Sequence, residues 1–349
     1  MNSIERVVAA LQHKEADHVP VYPIMSGITR KLIGASYPEW SQDADVCAKA
    51  FIKSAEDFDV DCLVTLIDLS VECDAWGQKL VFPENDAAHP DYSQSVVQDI
   101  SDYAKIKKVD YRNSKRMMMH IDVCKKLVEA KGKEMPIVAF VFGPLGVLSM
   151  LRSQQEMYMD LYDDPDAVFQ AAREINETLK EYVAALIDTG VNAVMFDTLF
   201  ASGSIMSKTM WDDMEGVLVE ELAQVVHDKN CMVMIHNCGQ KIYFDVQIKR
   251  MKPAAISFLY PPDDCTSFAE TKAKYGDQVM LIGCVTPASA VVGTDEEWDQ
   301  QCTDQIDAMA KNGGFMLATG CEYPSGASFD RARRMIDIAK TYGKYGKQS

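Results

Sequence analysis

In the stretch 231-CMVMIHNCGQ-240 an apolar run stops at His236 and Cys238, an imidazole and a thiol two positions apart. Such a pair could bind a metal, serve as a redox thiol, or merely finish a strand. A third donor lies far along the chain, where the run 315-FMLATGCEY-323 ends in Cys321 followed by Glu322. One imidazole and two thiolates make a borderline-soft set suited to Zn2+, and a Cys2His set leaves a fourth position free, as catalytic zinc requires. The chain contains no Cys-x-x-Cys, so neither the knuckles of a structural zinc site nor a thioredoxin-type pair is indicated.

Two carboxylates end apolar runs in the same manner, Asp68 and Asp197. The common role of such an aspartate is to cap a helix or bind a loop backbone. The same position would also suit a catalytic group that orients substrate, or a carboxylate that receives the free N–H of a ligating histidine. Cys284 is either a further ligand or a close-packed strand end. Cys62, Cys124, Cys231 and Cys302 read as small core residues.

Residues so far apart meet only if a repeating architecture brings strand ends together. Eight short apolar runs provide it: 19-VPVYPIM-25, 62-CLVTLID-68, 136-PIVAFVFG-143, 193-AVMFDT-198, 232-MVMIHN-237, 255-AISFL-259, 279-VMLIGCV-285 and 315-FMLATGC-321. Continuously apolar strands separated by helical segments indicate a parallel sheet covered by helices, here a (β/α)8 TIM barrel, with a doubly wound open sheet as the competing architecture. Reactive groups of such a barrel gather at the C-terminal ends of its strands, where all the candidates fall. Between the runs, 153–190 reads as two helices divided near Asp164-Pro165, 207–230 as another, and 326–346 as the closing helix. The segment 72–135 is long for one βα step; it is expected to be an insertion after the second strand, over the barrel mouth, within a single domain spanning 1–349.

Composition narrows the function. A net charge of −17 disfavours nucleic acid and anionic membranes as partners. The longest apolar stretch, 136–151, is interrupted by Gly143-Pro144 and Gly146 and is too short to span a bilayer. The N-terminus lacks the pattern of a signal peptide, and ten cysteines without a disulfide framework suit a reducing cytoplasm.

Beyond these local readings, the chain resembles the uroporphyrinogen decarboxylase superfamily over nearly its whole length, and within it the corrinoid-dependent methyltransferases. The resemblance is carried by 5-ERVVAALQHKEADHVPV-21, 66-LIDLSVECDAWG-77, 142-FGPLGVLSMLRSQQEMYMDLYDDPDAV-168 and 193-AVMFDTLFASGSIMSKTMW-211. Its most specific part is 235-IHNCGQ-240 with 320-GCEYPSGASFDRARRMIDIAKTYGKY-345, which is similar to the zinc signature of the methylcobamide:coenzyme M methyltransferases. The decarboxylases' arginine-rich N-terminal segment corresponds to 22-YPIMSGITR-30, which keeps only Arg30. Uroporphyrinogen is therefore disfavoured as a substrate.

The resemblance implies zinc held by His236, Cys238 and Cys321, with catalytic roles for Asp68 and Asp197 and Glu322 in substrate binding or at the fourth position. It further implies a corrinoid protein as partner, and a thiol, methyl ether or thioether as methyl acceptor or donor, with homodimerisation left open. Methyl-ether demethylases of this scaffold carry a carboxylate where Glu215 stands, but their companion carboxylate falls on Phe200, so Glu215 is assigned no ligand role. Two alternatives stay open: a metal-free decarboxylase using Asp68, and a non-catalytic corrinoid- or zinc-binding protein.

Overall fold

A computed structural model describes residues 1–346. All eight expected strands are present: β1 (Val21–Tyr22), β2 (Leu63–Val64), β3 (Ile137–Phe142), β4 (Ala193–Asp197), β5 (Met232–Asn237), β6 (Ala255–Phe258), β7 (Met280–Val285) and β8 (Phe315–Thr319). They pair in parallel in the order β1-β8-β7-β6-β5-β4-β3-β2, a (β/α)8 barrel surrounded by helices rather than an open doubly wound sheet. Strands β3 to β8 are buried almost throughout, which is why their sequences show no alternation of polar and apolar residues.

The first strand is shorter than its apolar run because Pro20 and Pro23 bracket it and offer no N–H to a ladder. Between β1 and β2 the seam is closed partly by a side chain. The Asp61 amide donates to Val21 O at 3.0 Å, while the Val21 amide donates to Asp61 Oδ2 at 2.8 Å. Arg6, on the N-terminal helix Ser3–Leu11, holds Asp61 Oδ1 at 2.6 Å and also binds Asp17. That helix covers the base of the barrel, its Ile4, Val7 and Leu11 facing Val138, Met234, Met280 and Met316 across a small apolar cavity.

The helices follow the expected divisions. Gln154–Asp163 and Pro165–Asp188 are separated at Asp164, whose side chain caps the second helix ahead of Pro165. The predicted helix over 207–230 is interrupted by one wide turn, Asp212–Gly216, between Lys208–Trp211 and Val217–Asp228. Phe329–Thr341 is the closing helix.

Within 72–135, only the part up to 114 departs from a βα step, because Lys115–Lys131 is the helix that leads into β3, packed on that strand and on helix Ala44–Phe58. The departing part holds a two-stranded antiparallel ribbon, Leu80–Val81 with His89–Pro90, followed by short 3-10 turns. No helix among the described residues is long and apolar enough to cross a membrane.

Candidate metal centre

Strand register sets the centre. Asp197 lies opposite His236 across the β4–β5 ladder, and His236 opposite Ser257 across β5–β6. Cys238 follows the end of β5 and Cys321 the end of β8. One donor atom from each of His236, Cys238 and Cys321 lies within 4.8 Å of the others, the sole such group of three among the described residues. Tetrahedral zinc, with bonds of about 2.0 Å to nitrogen and about 2.3 Å to sulfur, needs donors roughly 3.3–3.8 Å apart. An approach of no more than about 1 Å would bring the three to that spacing.

Electrostatics agree with a cation between them. Cys321 is held well below the usual thiol range, first by a hydrogen bond from Cys238 and then by His236, against the opposing effect of burial. The same bond to Cys321, together with burial, drives the Cys238 thiol upward. Burial lowers the pKa of His236, but the neighbouring Cys321 and Asp197 outweigh it and leave a net rise.

His236 Nδ1 lies 3.0 Å from Ser257 Oγ. With the proton on Nδ1 donated to that hydroxyl, Nε2 is left as the ligand atom. The expected carboxylate partner for the histidine is thus replaced by a serine. Phe140, on β3, packs beside the imidazole with ring centres 6.1 Å apart.

The other candidates separate clearly. Asp197 is buried, and its Oδ1 has no hydrogen-bond partner among the described residues. Burial raises its pKa to about 7, with His236 opposing the rise. Glu322 accepts from the Gly27 amide at 3.1 Å, and burial likewise raises it to about 7. Both line the cavity in which the three candidate donors lie, although Glu322 is not one of the converging donors.

Asp68 lines the cavity as well, but its carboxylate is already engaged. Arg116 Nη1 and Nη2 donate to Asp68 Oδ1 and Oδ2 at 2.9 and 2.5 Å, and the Ser70 amide and hydroxyl donate to Oδ1 at 2.9 and 2.6 Å. Cys284 is packed inside β7 and stands outside the group of donors. Cys231 is only partly buried, resting against the core with its thiol 3.7 Å from Val191 O.

Glu215 has a different task. It sits fully buried on the wide turn, where Oε1 accepts from the Leu145 amide at 3.0 Å and Oε2 from Trp211 Nε1 at 2.8 Å. A carboxylate there caps the start of helix Pro144–Arg152. Gly143 makes room for it, since a Cβ would stand 2.8 Å from Glu215 Oε1 and 2.9 Å from Asp197 O.

A barrel with a thiolate-rich centre at its C-terminal mouth is the class that fold and site define. Residues 2–342 match the family model for uroporphyrinogen decarboxylase (URO-D), and the chain belongs to that family. It is 20% identical over 342 residues to the methylcobamide:CoM methyltransferase MtbA of Methanosarcina mazei, covering 97% of both chains. It is 23% identical over 302 residues to a uroporphyrinogen decarboxylase of Wolinella succinogenes, covering 84% of this chain and 83% of that one. In structure it resembles a methyltransferase from Methanosarcina mazei, with a TM-score of 0.79 at 18% identity, covering 98% of this chain and 99% of the other.

Proposed function

We propose that this protein is a zinc-dependent transferase that moves a methyl group between a small substrate and the cobalt of a corrinoid carried by a separate protein. The observation that carries this reading is the convergence of His236, Cys238 and Cys321 at the barrel mouth. The methyltransferase relatives support the same class of reaction. Zinc bound there would supply a Lewis acid for the sulfur or oxygen of the substrate and would favour the deprotonated form of a thiol.

The chain's own residues supply the rest. Ser257, accepting from Nδ1–H, would leave Nε2 free for the metal, and Phe140 packs beside the ring. Asp197 Oδ1, buried and unpartnered, is placed to hold or accept a proton at the mouth. Glu322, anchored to Gly27, forms part of the substrate wall. From the ribbon, Ala87 to Pro90 lie along the cavity and shelter it from water. The ten free cysteines suit a reducing compartment such as the cytoplasm.

A decarboxylase using Asp68 without metal is the second reading, drawn from the decarboxylase relative. It is weakened by Arg116 and Ser70, which occupy the carboxylate. Two measurements decide. Metal analysis after mild purification is expected to give about one zinc per chain, given the affinity of thiolate sites. Mixing the protein with a methylated cobamide and a panel of thiols and methyl ethers is expected to change the cobalt absorption. Absence of zinc would defeat the reading, and zinc without transfer would reduce the protein to a binder.

A further inference from the structure

We infer that the cavity beside the proposed metal centre selects a small substrate with an uncharged, largely apolar body, and discriminates against thiols or ethers bearing a sulfonate or carboxylate. The inference rests on the methyl-transfer reading above and narrows its substrate.

Next to the three ligands lies a cavity of about 330 Å3. Its walls away from the metal are apolar: Leu66, Leu69, Phe140, Met150 and Leu199, with Tyr92 at the edge. Among the described residues, no lysine or arginine lines it. The nearest guanidinium, Arg116, stands behind Asp68 and is neutralised by it through two hydrogen bonds, while its remaining contacts go to Ser70 and Ser41 O. Arg30, the other buried arginine of this region, turns to Ala35 O and Asn85 and stacks on Tyr37.

Among the described residues, the ionisable groups that do line the cavity, the three donors aside, are the carboxyls of Asp68, Asp197 and Glu322, His89 with Nδ1 3.1 Å from Pro90 O, and the phenol of Tyr92, whose hydroxyl donates to Ser149 O. An anionic tail would therefore lose its water, meet carboxyl oxygens, and find no free cation in exchange. An apolar tail loses nothing polar on entry and is favoured by area buried against the leucines and Phe140.

The test uses the full chain reconstituted with Co2+ in place of zinc, with thiol binding read from the sulfur-to-cobalt absorption. Three thiols of similar size serve as probes: uncharged 2-mercaptoethanol, anionic 2-mercaptoethanesulfonate and cationic cysteamine. The uncharged thiol is expected to bind at least tenfold more tightly than the sulfonate and no more weakly than cysteamine. Leu69→Lys, which sets a cation on the wall, is expected to improve binding of the sulfonate relative to 2-mercaptoethanol by about tenfold. Equal or tighter binding of the sulfonate by the unaltered protein overturns the inference, as does a clear preference for cysteamine, and both leave the metal-centre reading intact. A cobalt-loaded protein whose spectrum responds to none of the three overturns that reading and the inference with it.

Discussion

At the β2 edge of the barrel mouth, Asp68 accepts four hydrogen bonds, two of them from Arg116. At the β4 edge, Asp197 is equally buried and is the last residue of its strand, yet its Oδ1 has no partner among the described residues. The contrast extends to the neighbours. Arg116 and Ser70 engage both oxygens of Asp68, although Arg116 Nε itself has no partner among the described residues, whereas beside Asp197 an imidazole and two sulfurs face one another. One side of the mouth has used its polarity to hold the fold, and the other has kept it available for a ligand.

Substitutions can break this contrast. The largest effect is expected on the β5 and β8 side, where His236→Ala, Cys238→Ala or Cys321→Ala should each reduce bound zinc from about one per chain to near zero by elemental analysis. The β2 side should instead register as lost stability. Arg116→Ala leaves a buried carboxylate unpaired and is expected to cost about 3–5 kcal/mol in urea denaturation of the metal-free protein, with the zinc ligands untouched.

Glu72 lies fully buried near the Asp68–Arg116 pair, accepting from the Phe142 amide at 3.2 Å, and burial raises its pKa to about 8. The folded chain therefore retains a proton that the unfolded chain releases near pH 4.5, so stability falls as pH rises between those values. Glu72→Gln should remove that fall, matching the parent at low pH and exceeding it above pH 8 by up to about 5 kcal/mol. An unchanged slope in thermal melts across this range would show that Glu72 is ionised throughout.

Smaller effects sharpen the comparison. Ser257→Ala removes the hydrogen-bond partner of His236 and should weaken zinc binding about 10–100-fold in a chelator competition, while leaving one zinc per chain at saturation. Asp197→Asn should not destabilise the fold by more than about 1 kcal/mol at any pH, because Oδ1 has no partner among the described residues to lose. If Asp197→Asn proves as damaging as Arg116→Ala, the two edges are not different in kind.

Much of this arrangement was legible in the sequence. Six of the eight strands have nearly the lengths of their apolar runs, since a strand buried on both faces must be apolar throughout, and Asp164-Pro165 marked a helix boundary that the cap and the proline enforce. His236, Cys238 and Cys321 stood out because a thiol or imidazole at the end of an apolar run has few ordinary uses. The extent of the excursion after β2 was overdrawn, because helix Lys115–Lys131 has a weak apolar stripe broken by Arg116 and His120, both turned inward to polar partners. Ser257 gave one faint signal, a hydroxyl inside the run 255-AISFL-259, but its partner depends on strand register. Arg116 gave none: forty-eight positions separate it from Asp68, and only the fold shows that they meet.

The seam between β1 and β2 carries a consequence for how this chain can vary. Along every other junction of the barrel, backbone ladders do the joining, and a ladder is indifferent to the side chains that hang from it. At the seam the joining depends in part on one particular carboxylate, Asp61, and on one particular guanidinium, Arg6. Closure of the barrel there is written in the genetic code rather than in the backbone, so drift that the other junctions absorb would be felt at these two positions first.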